Sequence, residues 1–436
     1  MQSLWRETSR LPGFPQLCGD LNTDVLIIGG GMAGLLCAHM LHQAGIRYTL
    51  VEAGTICSGV TGNTTAKITA QHGLIYSRLT RRFSAEHARL YLRANLEALE
   101  DYRTLCRQIN CGFEEKDAYA FSLVSRAKID DELAALAAIG FHAEYSDAPA
   151  LPFPVAGAVR FPDQAQFHPL EFAAALAGPL RIFEHTAVRA FDNGAAITAH
   201  GKITADKIIV ATHFPFLNKH GAYFLKLYQD RSYVLALENA PDVAGMYIDG
   251  DGGGVSLRNY KNLLLLGGGA HRTGKQGGNW RVLSAFAREH FPGAAEKYRW
   301  ATQDCMTLDG VPYIGRYGRQ TPQLYVATGF NKWGMTGSMA AARLLCDLAA
   351  DRENPYAAVF TPSRSMLRRQ LAINAGEAVV NMLSFTGKRC PHLGCALKWN
   401  AQERSWDCAC HGSRFSEDGR LLNNPATGGL KSPPER

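Results

Sequence analysis

Residues 24–52, DVLIIGGGMAGLLCAHMLHQAGIRYTLVE, contain the pattern that decides the fold. The apolar run 25–28 is suited to a buried parallel strand, and a second short apolar run, 48–51, follows the helical stretch. Between them, a G-x-G-x-x-G motif opens the helix. Such glycines permit a tight turn, let a pyrophosphate approach the backbone, and let the helix pack on the strand. The stretch therefore predicts a dinucleotide-binding α/β unit.

The predicted contacts of this unit with a dinucleotide lie at the glycine turn and at the end of the second strand. The helix N-terminus offers free N–H groups and a positive dipole end to phosphates. Glu52 can accept hydrogen bonds from ribose hydroxyls. The uncharged, glycine-rich run that follows is expected to lie against the ligand, because small residues let the backbone come close. The predicted dinucleotide-binding residues here are Gly29, Gly31, Met32, Ala33, Gly34, Glu52, Thr61 and Thr65.

Length and composition describe an ordinary globular protein. The chain has 436 residues, enough for two or three domains, with 46% hydrophobic and 19% charged residues. Its net charge of +7 is spread without a basic tail or a basic–aromatic stripe, so nucleic-acid binding is not expected. The start lacks an apolar leader, and glycines interrupt the apolar stretch 25–41. We therefore expect a cytoplasmic protein without a secretion signal or a membrane span.

The order of the predicted elements indicates a nucleotide-binding sheet interrupted by a second domain. Residues 1–21 are expected to form an irregular arm, and the composition change over 354–365, with Pro355 and Pro362, predicts a linker before a separate C-terminal module. Helices are predicted over 84–110, 125–140, 168–178 and 339–349. Strands are predicted over 181–184, 186–188, 195–198, 202–204, 207–212, 233–237, 254–258, 263–266 and 324–329.

Residues 22–350 resemble the glycine oxidase/D-amino acid oxidase (DAO) class of flavoproteins. The resemblance is carried by GGGMAG with Glu52, by SGVTGNTTAK (58–67), by DKIIVAT (206–212), and by DGVPYIG (309–315) followed by YVATGFNKWGMTGS (325–338). It implies an α/β, Rossmann-like FAD-binding domain of the DAO type with an inserted α+β substrate domain. NAD is the competing ligand for a single glycine motif, but the second and third glycine-rich strand ends favour FAD.

The same resemblance places the domain pieces and further cofactor contacts. Within a flavoprotein unit of residues 1–365, the FAD-binding pieces are expected at about 22–75, 180–215 and 305–350, and the substrate domain at about 76–179 and 216–304. A helix N-terminus near the last glycine-rich turn would stabilise negative charge on a reduced flavin. The further predicted FAD contacts are Val188, Thr212, Gly329 and Thr336.

Substrates of this class are usually amines or amino acids, which lose a hydride from the carbon next to nitrogen. If the amine arrives neutral, little acid–base machinery is required. Arg258 could hold a substrate carboxylate bidentately, although an exposed strand arginine in a salt bridge is an equal interpretation. The predicted residues of the substrate site are Tyr233, Arg258, His271, Lys332 and Trp333.

The C-terminal stretch CPHLGCALKWNAQERSWDCACHGSRF (390–415) contains two cysteine/histidine pairs. Cys390 and His392 form the first pair, Cys408 and His411 the second, with fifteen residues between the pairs. Two thiolates on one iron and two imidazoles on the other describe a Rieske [2Fe–2S] centre. A structural zinc site could take the same ligands. The flanking HLGC and CHGS match the Rieske family closely, so residues 371–436 are predicted to form a small all-β Rieske domain.

This module resembles the Rieske proteins of respiratory bc complexes, and the resemblance implies further features. There, cysteines equivalent to Cys395 and Cys410 form a disulfide that clamps the ligand loops; two buried thiols are the alternative, because cytoplasmic disulfides are unusual. Ser413 matches a serine that bonds a cluster sulfur. Phe415 replaces a frequent tyrosine, which predicts a lower reduction potential. Residues 376–389 are too few for the strands that usually precede the first ligand, so a truncated domain base is expected.

Two redox centres in one chain imply electron transfer between them. Whole-chain likeness is to bacterial FAD-dependent oxidoreductases with a C-terminal Rieske domain. The module order predicts a path from an amine or amino-acid substrate to FAD, then to the cluster, then to an external electron acceptor. Such a protein would be a dehydrogenase rather than an oxidase. The alternatives are a reductase or monooxygenase that receives electrons through the cluster, and a non-catalytic redox sensor that uses Cys395 and Cys410.

Overall fold

The computed structural model describes residues 2–192, 194–218 and 220–430. The strands within these ranges form three sheets, and they are listed here in chain order. They are β1 (Leu21–Ile28), β2 (Tyr48–Val51), β3 (Lys67–Ile68), β4 (Glu114–Ser122), β5 (Glu144–Ser146), β6 (Gly157–Gln166), β7 (Ile182–Phe183), β8 (Ala190–Asp192), β9 (Ala195–Ile197), β10 (Lys202–Val210), β11 (Leu227–Glu238), β12 (Met246–Asp249), β13 (Ser256–Tyr260), β14 (Leu263–Arg272), β15 (Ala295–Thr307), β16 (Tyr313–Arg316), β17 (Leu324–Thr328), β18 (Leu397–Asn400), β19 (Ser405–Cys408), β20 (Arg414–Ser416) and β21 (Leu421–Asn423).

The helices of the same ranges pack on the two larger sheets, pack on one another, or connect the modules. They are α1 (Leu4–Thr8), α2 (Met32–Gln43), α3 (Tyr76–Arg82), α4 (Ala85–Cys106), α5 (Arg126–Ala138), α6 (Pro169–Ala177), α7 (Tyr223–Lys226), α8 (Trp280–His290), α9 (Gly334–Ala349), α10 (Ala357–Phe360) and α11 (Arg369–Leu383). The predicted caps of two of them are confirmed: the side chains of Ser84 and Ser125 accept hydrogen bonds from the first turns of α4 and α5.

The first sheet is built around β1, which pairs in parallel with both β10 and β2. Its strand order is β16-β17-β10-β1-β2-β7, and β8 and β9 extend it beside β10. The end of β1, residues 25–28, is buried, as expected for a parallel strand covered on both faces. Its neighbouring helix, α2, packs against α9. The carboxyl ends of β1, β2 and β10 therefore meet at one edge, where the glycine turn lies.

The second sheet is larger and mostly antiparallel. Its order is β15-β11-β14-β13-β12-β4-β6-β3, with β5 paired to β6. The long strands β11 and β15 pair along their whole lengths, and α8 packs on β11 and β14. A large cavity lies between this sheet and the carboxyl ends of the first sheet.

The third sheet is a small antiparallel one with the order β18-β19-β20-β21. Its core contains Cys390, Cys395, Cys408 and Cys410 together with Phe415. The ligand loops on either side of β18 and β19 therefore lie within one small hydrophobic cluster. No helix in the described part of the chain is long and apolar enough to cross a membrane.

Several local predictions are wrong. Residues 186–188 are not a strand, and they line the cavity instead. The predicted strands over 202–204 and 207–212 are one continuous strand, β10. The N-terminal arm contains α1, whose Trp5 is 0% exposed. Trp5 and both ends of the stretch 186–188 are buried against distant segments, which their local sequence patterns do not indicate.

The segment before the first cysteine ligand is helical rather than stranded. α11 extends to Leu383, and a single isolated bridge joins Arg389 to Ala396. The described part of residues 371–436 is therefore a four-stranded sheet preceded by a helix. This agrees with the expectation that the strands which usually precede the first ligand of a Rieske domain are missing here.

Candidate functional site

A cavity of about 620 Å³ lies where the first sheet, the second sheet and the C-terminal module meet. This volume is in the range of sites that hold a cofactor or a drug-sized ligand. Three of the predicted dinucleotide-binding residues, Gly34, Gly329 and Thr336, lie outside its lining. The nine that line it are Gly29, Gly31, Met32, Ala33, Glu52, Thr61, Thr65, Val188 and Thr212.

The glycine turn brings the start of α2 onto β1. Gly29 has φ +113°, and a side chain there would meet the Ala211 carbonyl oxygen at 2.5 Å. A side chain at Gly34 would collide with the carbonyl oxygen of Gly29. Gly34 therefore contributes close helix–strand packing rather than a surface for the ligand. The cavity next to this turn fits a pyrophosphate at a helix N-terminus.

Glu52 is held rigidly at the end of β2. Its Oε2 accepts a hydrogen bond from the Gly30 N–H at 2.7 Å, and its Oε1 accepts one from the Gly54 N–H at 2.9 Å. Burial raises the pKa of this carboxyl, and these backbone bonds oppose the rise. The position at the strand end and on the cavity wall suits contact with ribose hydroxyls.

The last glycine-rich turn leads into α9 through a strained loop. Asn331 and Lys332 both have positive φ, at +50° and +75°. Lys332 and Trp333 line the cavity, and the Trp333 ring stacks on His72 with 4.7 Å between ring centroids. The Thr336 hydroxyl donates to the Thr69 carbonyl at 3.0 Å. Thr336 thus fastens the start of α9 to the segment after β3.

The predicted substrate residues divide into two groups. Tyr233, Lys332 and Trp333 line the cavity, whereas His271 and Arg258 do not. The His271 Nε2 atom lies 3.0 Å from the Tyr233 hydroxyl, and its Nδ1 lies 3.0 Å from the Arg272 carbonyl. His271 therefore stands behind Tyr233 and can orient its hydroxyl.

Arg258 is neither a wall of the cavity nor an exposed strand residue. It is fully buried, with its guanidinium 5.3 Å from the Trp5 ring centroid and 5.8 Å from that of Tyr260. Its Nη2 donates to the Phe167 carbonyl at 3.3 Å. Arg258 therefore does not line the substrate cavity as predicted, because Trp5 of the N-terminal helix covers this end of β13.

Lys67 is a residue of the cavity wall that was not predicted from the sequence. Its Nζ donates to the Ser256 hydroxyl at 2.6 Å, and both residues line the cavity. Burial lowers the pKa of Lys67 to about 7, and the nearby charge of Arg258 adds to this effect. The lysine lies in a run quoted for its family likeness, but nothing local indicated where its side chain points.

Asp304 was also missed, and it is the acidic group beside the strained loop. It lines the cavity on β15, and its Oδ2 lies 3.4 Å from the Ser232 hydroxyl. Burial raises the pKa of Asp304 to about 6, while the charge of Lys332 opposes the rise. A single acid in an irregularly alternating strand gives no sequence signal of such a role.

The structure brings the four predicted cluster ligands together as a cysteine pair and a histidine pair. The Cys390 and Cys408 thiols are hydrogen-bonded to each other, and the rings of His392 and His411 are nearly perpendicular with 4.9 Å between centroids. Within the described residues, the Nδ1 atoms of both histidines are buried without a hydrogen-bond partner. Two thiols and two free imidazole nitrogens are the donor set of a Rieske [2Fe–2S] cluster, so these residues fit that group.

The electrostatics of three of the four ligands favour their metal-binding forms, whereas the neighbouring Cys390 and burial raise the pKa of the Cys408 thiol. Burial lowers the pKa of His392 to about 4 and that of His411 to about 3, so both rings are neutral at pH 7. The hydrogen bond from Cys408 lowers the pKa of Cys390 to about 7. Neutral imidazoles and thiolates are the forms that bind a metal.

Cys395 and Cys410 form a disulfide beside these ligands. The sulfur of Cys408 lies within 4.8 Å of both disulfide sulfurs. The bond joins the two ligand loops directly. The prediction of this pairing is confirmed.

The cluster-binding loops face the flavoprotein part of the chain. The Phe214 ring makes edge contacts with the rings of both His392 and His411, at 6.4 and 6.1 Å between centroids. The Asn424 side-chain amide donates to the carbonyls of Thr212 and Phe214, at 2.6 and 2.8 Å. Residues 212–214 thus touch the cluster site on one side and the large cavity on the other.

Further polar contacts fix the ligand loops on the second sheet. The Gln229 amide donates to the His411 carbonyl at 2.7 Å and to the Asn424 carbonyl at 3.0 Å. The Gln303 amide donates to the Gly412 carbonyl at 2.8 Å. Since these amides reach backbone atoms of the loops, the position of the cluster site is set by β11 and β15.

A buried carboxylate joins the C-terminal module to β11. Glu403 forms ion pairs with Arg231, with 2.9 Å between Nε and Oε1, and with Arg414, also at 2.9 Å. Although burial alone would raise the pKa of Glu403, the two guanidinium groups outweigh it and lower the pKa to about 2. Glu403 therefore remains ionised inside the interface.

Comparison with known families adds the deciding observation. The DAO family, described as FAD dependent oxidoreductase, matches residues 24–348, and the Rieske [2Fe-2S] domain family matches residues 361–434. The chain belongs to the FAD-dependent oxidoreductases. Its cofactors are FAD and a Rieske [2Fe–2S] cluster, in preference to NAD and zinc.

Known proteins are similar to both parts of this FAD-dependent oxidoreductase. The Rieske 2Fe-2S iron-sulfur protein YhfW of Bacillus subtilis (strain 168) is 35% identical over 493 aligned positions, which cover 99% of this chain and 97% of that protein. Glycine oxidase from Geobacillus kaustophilus superposes with a TM-score of 0.66 at 21% identity, over 79% of this chain and 100% of its own. L-proline dehydrogenase from P. horikoshii superposes with a TM-score of 0.66 at 18% identity, over 80% and 98%.

These likenesses confirm the predicted fold class. The FAD-dependent oxidoreductase has a DAO-type FAD-binding fold and a small C-terminal β sheet that carries the Rieske ligands. The structural neighbours cover the flavoprotein part and show its fold.

Proposed function

We propose that the protein is a dehydrogenase that oxidises an amine or amino acid at FAD and passes the electrons through the Rieske cluster to an external one-electron acceptor. One observation carries this proposal: residues 212–214 line the FAD cavity at Thr212 and contact both cluster histidines through Phe214. When bound, FAD accepts a hydride and a [2Fe–2S] cluster carries one electron at a time. A shared wall between the two sites supports direct transfer.

The cavity wall supports a substrate that carries both an amino group and an acidic group. Lys67 offers a cationic nitrogen next to Ser256, and Asp304 offers a carboxylate next to Lys332. Two proteins of similar fold are a glycine oxidase and an L-proline dehydrogenase. An amino acid or a related N-substituted acid matches this pair of opposite charges.

The proposed roles of the side chains follow from these charges. Lys67 holds the substrate carboxylate, and Asp304 takes the proton from the substrate ammonium group. The α-carbon of the neutral amine then loses its hydrogen with the bonding electron pair, which leaves a C=N bond. Trp333 and Tyr233 close the cavity around the reacting carbon and keep water out. The two electrons leave singly past Phe214.

An anaerobic stopped-flow experiment with amino acids and secondary amines tests the path. In the native protein, we expect the flavin absorbance to bleach first and the cluster absorbance to follow. In His392→Ala, flavin bleaching should persist, whereas turnover with a one-electron acceptor should fall by at least about tenfold. His142→Ala, which changes an exposed histidine, should behave as the native protein.

Two outcomes would contradict the proposal. If the flavin bleaches only when electrons enter through the cluster, the chain works in the reverse direction as a reductase or monooxygenase. If neither centre responds to any amine while mild oxidants and reductants switch Cys395 and Cys410, the redox-sensor alternative applies. Electron paramagnetic resonance of the reduced protein reports the cluster in each case.

A further inference from the structure

Helix α11 packs against the rest of the protein with its polar side. Of its fifteen residues, all of which the structure describes, only Asn374 and Asn381 are buried. The Asn374 side-chain oxygen accepts a hydrogen bond from Arg272 at 2.9 Å, and the Asn381 main-chain carbonyl accepts one from the Ala396 N–H at 2.9 Å. On the same side, Glu377 pairs with Lys275 at 2.7 Å. The helix is therefore fastened by polar contacts, the reverse of a usual amphipathic helix on a globular core.

The opposite side of α11 is apolar and faces solvent. Seven of the thirteen large exposed hydrophobic side chains in the described residues lie in the segment 367–385. Leu367 and Leu383 are 82% and 74% exposed, and Phe385 is fully exposed. Patches of this kind mark a surface that is covered by something else. The exposed apolar residues are Leu367, Ile373, Val379, Val380, Met382, Leu383 and Phe385.

Basic residues lie at both ends of this apolar face. Arg368 and Arg369 stand at its start, and Lys388 and Arg389 follow its end. Within the described residues, none of these four forms an ion pair. Between them the only charged residue is Glu377, which Lys275 neutralises. The face is thus an apolar strip with a positive charge at each end.

This charge distribution decides between two occupants. A second copy of the chain would bring basic ends onto basic ends, because a two-fold axis pairs either Arg369 with Arg369 or Arg369 with Arg389. An anionic bilayer surface accepts the apolar strip among its acyl chains and both basic ends among its headgroups. Charge complementarity therefore favours the lipid surface.

We propose that α11 lies in the headgroup region of an anionic membrane and attaches the protein to it peripherally. The first cluster ligand, Cys390, follows Leu383 by a short connection, so attachment would place the cluster site beside the bilayer. The attachment itself does not depend on the direction of electron flow or on the substrate.

Vesicle flotation with the full-length, cofactor-loaded protein tests the proposal. We expect the native protein to float with vesicles of phosphatidylglycerol and phosphatidylcholine, and to stay behind with phosphatidylcholine alone. Val380→Glu and Leu383→Glu should each weaken binding on the order of tenfold. Each replaces an apolar side chain that the membrane would bury with a charged one. Arg369→Gln should weaken it about fivefold.

Matched variants and a second measurement complete the test. Val282→Glu and Arg319→Gln change an exposed valine and an exposed arginine elsewhere, and they should float as the native protein. Flavin absorbance and thermal midpoint should be unchanged in all variants, since the substituted side chains face solvent. The proposal fails if the native protein does not float, if Leu383→Glu floats equally well, or if light scattering shows a native dimer that Leu383→Glu converts to monomer.

Discussion

The Nε2 atom of His392 lies 2.9 Å from the side-chain oxygen of Asn218. Since the Nδ1 of His392 is the free ligand atom, Nε2 carries the proton and donates it to the amide oxygen. A hydrogen-bond acceptor on a ligand imidazole increases its basicity and so favours the oxidised metal. We therefore expect the flavoprotein part of the chain to tune the reduction potential of the cluster.

The first prediction concerns this bond. Asn218→Ala should raise the midpoint potential of the cluster by about 20 to 60 mV, the equivalent of one hydrogen bond for a one-electron couple. Asn218→Asp should lower it, because an anionic acceptor favours the oxidised cluster more strongly. Redox titration followed by electron paramagnetic resonance measures both. Equal potentials in the three proteins would contradict the assignment.

The second prediction concerns the missing hydroxyl at Phe415, which is fully buried in the cluster domain. Phe415→Tyr should raise the midpoint potential by tens of millivolts, since a tyrosine there would add a hydrogen-bond donor near a cluster sulfur. Phe415→Leu removes the ring without adding a donor and serves as the control. An unchanged potential in Phe415→Tyr would show that the hydroxyl does not reach the sulfur.

The third prediction is a bell-shaped pH dependence of kcat/KM. Asp304, with a pKa raised to about 6, is ionised and able to take a proton only above that pH. Lys67, with a pKa lowered to about 7, is positively charged only below that pH. The rate should therefore rise towards pH 6 and fall above pH 7.

Single variants assign the two limbs of this profile. Asp304→Asn should remove the acidic limb, and Lys67→Met should remove the alkaline limb. Lys67→Met should also raise KM about 10- to 100-fold, because a charge-assisted hydrogen bond to the substrate is lost. Lys202→Met, at an exposed position, should change neither. A profile that both variants leave intact would exclude these roles.

The fourth prediction concerns Glu403 in the interface. Glu403→Gln should destabilise the protein by about 3–5 kcal/mol, because Arg231 and Arg414 would remain buried without their partner. The exposed pair Arg404 and Glu417 gives the control, and Glu417→Gln should cost less than about 1 kcal/mol. Thermal unfolding followed by cluster absorbance measures the difference.

Glu403 also makes the stability of the folded protein decrease in acid. Its pKa falls from 4.5 to about 2 on folding, so its contribution to stability is complete above pH 4.5. That contribution disappears as the pH decreases from 4.5 to 2. Glu403→Gln should therefore lose less stability than the native protein over this interval.

The fifth prediction concerns the glycine turn. In Gly34→Ala, the added methyl group would overlap the Gly29 carbonyl, and α2 would have to move away from β1. We expect loss of bound FAD and destabilisation of about 1–3 kcal/mol. Gly54→Ala meets only ordinary contacts, the nearest at 3.5 Å, and should keep its flavin. Flavin content after gel filtration distinguishes the two.

The features that could be predicted are those that short stretches of chain specify. The turn at Gly29 and Gly34 requires residues without side chains, and this requirement is visible in the sequence itself. The spacing of Cys390, His392 and their partners is likewise local, since each loop supplies two ligands. Helix α4 could be placed because Ser84 caps it and its apolar residues repeat at helical spacing.

The features that could not be predicted depend on segments that meet only in the folded chain. Arg258 is buried because Trp5 reaches it from the N-terminal helix. Lys67 lines the cavity because Ser256 of β13 lies opposite it. The inverted polarity of α11 depends on partners such as Arg272 on β14. The sequence pattern within one segment contains no information about these contacts between distant segments.

The stretch 421–427 of the Rieske module supplies part of the wall of the FAD cavity. The flavoprotein part and the Rieske module are therefore not interchangeable domains that only a linker connects. A chain shortened before the cluster ligands would leave its flavin open to bulk water on that side. Any exchange of the Rieske module for a foreign one must reproduce this loop as well as the four iron ligands.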